Sequence, residues 1–105
     1  MSTFQLDPNQ VAFGVASHGT TQVATVTTSS VQMTAFGATT TMIRIACGQG
    51  HCHYAIGTSP TASITTSAMI PPNCVEIVRV NPAQKIAFIK DATITTSTVS
   101  VTELV

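Results

Sequence analysis

The densest group of side chains able to do chemistry is CGQGHCH, running from Cys47 to His53. Thiolates and imidazoles are the ligands zinc prefers, and this segment holds Cys47, His51, Cys52 and His53 within seven positions. The spacing, however, is Cys-x4-Cys with a histidine on each side of the second cysteine, not the paired short knuckles of zinc folds. On an extended strand over residues 51–56, His51 and His53 share one face while Cys52, Tyr54 and Ile56 take the other. The favoured reading is a buried Cys52 beside two exposed histidines. Those four residues are therefore the only metal candidates, and no metal or cofactor is expected. A reduced version of the same idea has His51 and His53 binding a metal between subunits about a symmetry axis.

Nucleophilic catalysis needs a base and an orienting carboxylate near the attacking atom. The carboxylates are Asp7, Glu76, Asp91 and Glu103, at strand ends, in the amino-terminal segment or in strands that look structural. A Cys52–His pair points to opposite faces of its strand. His18, in a Ser-His-Gly turn, is assigned to its loop. No glycine-rich phosphate cradle follows a strand and opens a helix. The chain is read as no enzyme, with no catalytic residues.

The elements that must position these groups follow from composition. The chain has 105 residues, enough for one domain over 1–105, with residues 1–10 as a candidate amino-terminal arm. It contains 19 Thr and 9 Ser, 11 Val and 9 Ile, but 2 Leu. Thr, Val and Ile lose side-chain freedom in a helix and suit a pleated surface. Short β-rich runs are expected at Val11–Ala16, Gln22–Thr28 and Val31–Ala35, then around Ile43–Cys47, His53–Ile56 and Ile64. Further runs are Cys74–Val80, Lys85–Lys90 and the alternation at Val99 and Val101. About eight short strands separated by turn signals predict an all-β fold, a single antiparallel β-sandwich. Cys74–Val80 and Lys85–Lys90 are apolar on both faces, so each needs its second face covered by a loop or by another molecule.

Charged residues are 8% of the chain and balance to a net charge of zero. Four scattered cations cannot neutralise phosphates well enough for nucleic-acid binding, nor hold an anionic membrane surface. Mean hydropathy of +0.36 argues against disorder. The opening MSTFQLDPNQ has no cationic segment followed by an apolar run and is not read as a secretion signal, and no window is long enough to span a bilayer. Three cysteines, Cys47, Cys52 and Cys74, do not read as a disulfide framework. Neutral, β-rich surfaces with few edge lysines self-associate readily, so much of the surface is expected to be occupied by other subunits. Carbohydrate binding is the competitor from another class. It is weakened by the absence of Trp and the presence of one Tyr, because sugar faces stack on exposed rings.

Between Thr41 and Leu104 the segments HYAIGTSPTA, MIPPN, EIVRVNPAQKIAFI and TVSVTEL follow in order. This stretch resembles small capsid decoration, or cement, proteins of tailed bacteriophages. The motifs are turn and strand punctuation, and Ala83 stands where such proteins carry a glycine. The resemblance implies a β-sandwich, with a jelly roll as one form it takes. It also implies a virion subunit, commonly trimeric, that binds the major capsid protein on the capsid exterior and strengthens the shell after assembly in the host cytoplasm. A tail, neck or head-fibre subunit is the alternative within the same class, and a host-attachment or sugar-binding module the alternative outside it.

Overall fold

The computed structural model describes residues 17–105. The expected strand at Val11–Ala16 and the candidate arm at residues 1–10 lie outside the described residues. Eight strands follow in order: β1 (His18–Thr25), β2 (Val31–Gln32), β3 (Met42–Cys47), β4 (Cys52–Gly57), β5 (Ala68–Ile70), β6 (Val75–Arg79), β7 (Lys85–Ile89) and β8 (Thr98–Leu104). There is no helix among the described residues.

Pairing is nested. β1 pairs with β8, β2 with β7, β3 with β6 and β4 with β5, all antiparallel, as in one long hairpin folded at its middle. Two further ladders, β3 with β8 and β4 with β7, roll that hairpin up. The result is a first sheet ordered β1-β8-β3-β6 and a second ordered β2-β7-β4-β5. This interleaved order is that of an eight-stranded jelly roll.

The core lies between the sheets. In β3 the alternation is strict: Ile43, Ile45 and Cys47 are buried while Met42, Arg44 and Ala46 face outward and are half-buried. Val99 and Val101 of β8, Ile86 and Phe88 of β7, and Cys52 of β4 complete the centre. Val26, Met33 and Phe36 close one side, and Tyr54 packs against Phe88 with ring centroids 6.2 Å apart. Each fully buried Ile, Val or Phe stabilises the fold by roughly 1.5–3 kcal/mol.

Two polar groups enter the interior with partners. Glu103, on the inward side of β8 opposite Ile43, accepts hydrogen bonds from the Gly37 amide (3.1 Å) and the buried Thr40 hydroxyl. It thereby fastens the long β2–β3 connection. The Tyr54 hydroxyl donates to Glu76 Oε1 at 2.8 Å, tying β4 of one sheet to β6 of the other. Among the described residues no buried side-chain polar atom lacks a partner, as the energetics of desolvation require.

Four expectations need correction. The strand expected over Val31–Ala35 is reduced to β2 at Val31–Gln32, because beyond it the chain keeps isolated bonds, Met33 N to Ile86 O and Phe36 N to Gln84 O (both 2.8 Å), in place of a regular ladder. Ile64 does not lie in a strand: residues 63–67 form a turn closed by Ser67 N to Ser63 O (3.1 Å) and by the Ser63 hydroxyl, and the strand follows at Ala68–Ile70. Serine and threonine hydroxyls that capture nearby amides outcompete a ladder there. His18 opens β1 opposite Leu104 instead of sitting in a turn. The strand expected over Gln22–Thr28 begins and ends earlier, because the Val26 amide donates to Ser97 O and the chain then bends away.

Ala83 is in the left-handed region, with φ of 64°. It follows Asn81-Pro82 in the turn joining β6 to β7, where Gln84 N donates to Asn81 O at 3.2 Å. A β-carbon at positive φ costs roughly 1–2 kcal/mol, part of which glycine's greater freedom in the unfolded chain offsets. Ala83→Gly should therefore stabilise the protein by about 0.5–1 kcal/mol, read as a rise of several degrees in thermal midpoint. An unchanged or lower midpoint would contradict the strain assigned to this turn.

Candidate interaction surface

The CGQGHCH segment forms the corner where the chain leaves β3 of the first sheet and enters β4 of the second. Gly50 makes the turn possible. It has φ of 71°, and a β-carbon there would collide with the Thr96 carbonyl oxygen and the Ile94 side chain. Its own carbonyl accepts from Cys47 Sγ (3.2 Å) and from the Ser97 hydroxyl (3.0 Å).

The four metal candidates divide between the core and the outside of the sandwich. Cys47 and Cys52 point into the core and are buried. His51 and His53 lie outside it, half-buried, with ring centroids 6.2 Å apart and edge to face. His51 Nε2 lies 3.4 Å from Asp91 Oδ2, and His53 Nδ1–H donates to Ser67 O at 3.0 Å. Among the described residues no three His, Cys, Asp or Glu side chains come together in a way that could hold a metal ion. Asp91 is held below the usual carboxylate range chiefly by the Thr93 hydroxyl and amide, with His51 adding a smaller effect. These bonds organise the β7–β8 connection.

Cys47 and Cys52 are tuned away from reactivity. Burial pushes Cys52 up to about 12, and the Cys47 sulfur adds to the rise. Burial likewise raises Cys47. A thiol kept protonated is a poor nucleophile and a poor metal ligand. Burial, with the Glu76 carboxylate beside it, raises Tyr54 to about 12.

The two strands apolar on both faces meet different fates. On β7 the outward Ala87 is fully buried, because residues 58–67 fold back over the second sheet. Gln32 Nε2 donates to Pro60 O (3.0 Å), and the Ala62 amide donates to the Ser30 hydroxyl (2.9 Å). On β6 nothing among the described residues covers the outward side. Val75 is 50% and Ile77 60% exposed, and Val23 of β1 is 74% exposed on the same face.

Register places these groups in rows across the first sheet. Val23, Ser100, Ala46 and Val75 form one row, and Thr21, Thr102, Arg44 and Ile77 the next. An open groove of about 240 Å³ runs beside the first row, bounded by Val23, Ala46, Thr98 and Ser100. Glu76 and Glu103 face inward and Asp91 lies on the β7–β8 connection, so the described carboxylates leave this face to Arg44 and Arg79. It is a hydroxyl and apolar surface with a slight positive charge. Sequence reasoning flagged β6 as doubly apolar; it missed that Val23 joins it, because that depends on β1 and β6 lying in one sheet.

The chain matches no family model, no curated protein and no solved structure.

Two measurements check this chemistry. Cys52 and Tyr54 are neutral when protonated, and both ionise later in the folded protein than at their ordinary values of 9.0 and 10.0. Their stabilising contribution is full below those values and is lost as pH climbs through about 12. The thermal midpoint should start to fall above pH 9, and the tyrosinate absorbance of the folded protein should rise only near pH 12. Tyrosinate appearing at the ordinary value in folded protein would contradict the Tyr54–Glu76 bond. Replacing His51 and His53 together with Ala should leave the oligomeric state intact and insensitive to chelator. Dissociation by chelator of the unsubstituted protein would instead establish a metal between subunits.

Proposed function

We propose that this chain is a virion structural protein, a capsid decoration subunit that binds the outside of a phage head through the major capsid protein and copies of itself. One observation carries the reading: the outer side of the first sheet bears the exposed Val23, Val75 and Ile77, left uncovered by the described residues, with no carboxylate among those described there. A free-standing domain normally guards such a face and its edges with charge. Here 8% charged residues leave too little to do so. Many copies of such a face, each making a modest contact, would bridge neighbouring capsomers, and symmetry would supply avidity. A trimer is the form the sequence resemblance implies. The reading assigns no catalytic residue.

The same features suit a tail, neck or head-fibre subunit. The sugar-binding alternative gains no support from the described aromatic residues: Phe36 and Phe88 are in the core, and Tyr54 is half-buried with its hydroxyl engaged by Glu76. Immunogold labelling of purified particles with antibody against this chain should decorate heads, and heads stripped of the protein should release their genome at lower temperature. Label confined to tails would move the assignment to the alternative, and particles free of the chain would refute both.

A further inference from the structure

Among the described strands the first sheet ends in two with a free edge, β1 and β6, and their chemistry matches. β1 pairs only with β8 among the described strands, and β6 only with β3. Val26 N donates to Ser97 O, so in the same register Ala24 and Gln22 exchange hydrogen bonds with β8. The backbone groups of Thr21, Val23 and Thr25 consequently point away from the sheet. On β6, Val80 N donates to Thr41 O and Cys47 N to Cys74 O, which likewise leaves the backbone groups of Val75, Ile77 and Arg79 pointing outward. The second sheet has no comparable edges: β2 has two residues and β5 three.

We infer that β1 of one copy pairs antiparallel with β6 of a second copy, head to tail, so that the first sheet continues from subunit to subunit. This rests on the assembly reading above and names the self-contact within it. In the register that centres Val23 on Ile77, Thr25 faces Val75 and Thr21 faces Arg79, each pair exchanging both backbone hydrogen bonds. All six side chains lie on the outer face, so the most exposed apolar groups of the two edges cover one another. The Arg79 stem lies along Thr21, with its charge left in water.

Self-pairing of like edges does less. β1 against β1 would cover Val23 and leave Val75 and Ile77 in water. β6 against β6 would leave Val23 exposed and bring two copies of Arg79 to one interface. Head-to-tail pairing sets the cation-bearing edge against an edge with no Lys, Arg, Asp or Glu, the sequence HGTTQVAT. Such heterologous contacts close into rings where the rotation allows.

Sedimentation velocity and light scattering of the full chain test this. The unsubstituted protein should form a closed oligomer at high concentration. Val23→Lys and Ile77→Lys should each raise the dissociation constant roughly thirtyfold or more, the scale of a central interface residue, with thermal unfolding of the dilute monomer unchanged. An equimolar mixture of the two variants should yield a dimer and nothing larger, because one intact β1 and one intact β6 remain. If Ile77→Lys associates as tightly as the unsubstituted protein, β6 is not part of the contact and the inference fails. Amide exchange supplies a check free of substitutions: Val23 and Ile77 amides should be protected only in the oligomer. Protection in the monomer would mean that the chain covers its own edges, and would overturn the inference. A chain monomeric at every concentration also overturns it, while head decoration, scored separately by labelling particles, would stand.

Discussion

The ladders that join β3 to β8 and β4 to β7 hold everything else in place. A long two-stranded hairpin has no interior and little stability in water. Once those two ladders form, the same strands become two sheets with facing inner sides, and Ile43, Ile45, Val99 and Val101 meet Ile86, Phe88 and Ile70. Cys47 and Cys52 are then driven inward at the corner, and Tyr54 comes within reach of Glu76. The outward positions of the first sheet are fixed by the same event, since a pleated strand cannot bury one side without presenting the other.

Hydroxyls take over work that charges do in most small domains. Ser30 holds Ala62, Ser63 and Ser67 shape the covering turn, Thr40 meets Glu103, and Thr21 lies 2.9 Å from Thr102 across β1 and β8. Each such bond contributes on the order of 1 kcal/mol, and the desolvation avoided at buried sites is worth at least as much. Short hydroxyl side chains cost little entropy to order and bring no counter-ion, so outward faces stay neutral. Val31, Ile64 and Met69 are exposed singly on the second sheet or its loops and need no special account.

Period-two alternation made β3 and β8 legible, and continuous apolar runs between turn residues made β6 and β7 so. An extended reading of residues 51–56 placed Cys52 inward and both histidines outward; the alternation at Val31–Ala35 produced only the two residues of β2. Local chemistry hid the rest. Ile64 carries a strand-like side chain, but the hydroxyls around it make a turn. β5 has three residues, ends directly before Pro71-Pro72 and is too short to show a period. Glu103 sits in an otherwise ordinary closing strand, and its burial depends on a loop more than sixty positions away. Of the two doubly apolar strands, one is sheltered by residues 58–67 and one is not, a distinction set by how far a loop reaches. The expected glycine position at Ala83 was informative, since that residue does adopt a left-handed backbone.

The bridge from Tyr54 to Glu76 has an optical corollary. With no tryptophan and a single tyrosine, emission excited at wavelengths too long for phenylalanine to absorb comes from one ring. That ring is anchored on one layer and tethered by its phenol to a carboxylate on the other. Any parting of the layers breaks the hydrogen bond of the fluorophore's phenol, so the molecule carries an intrinsic spectroscopic gauge of its own closure.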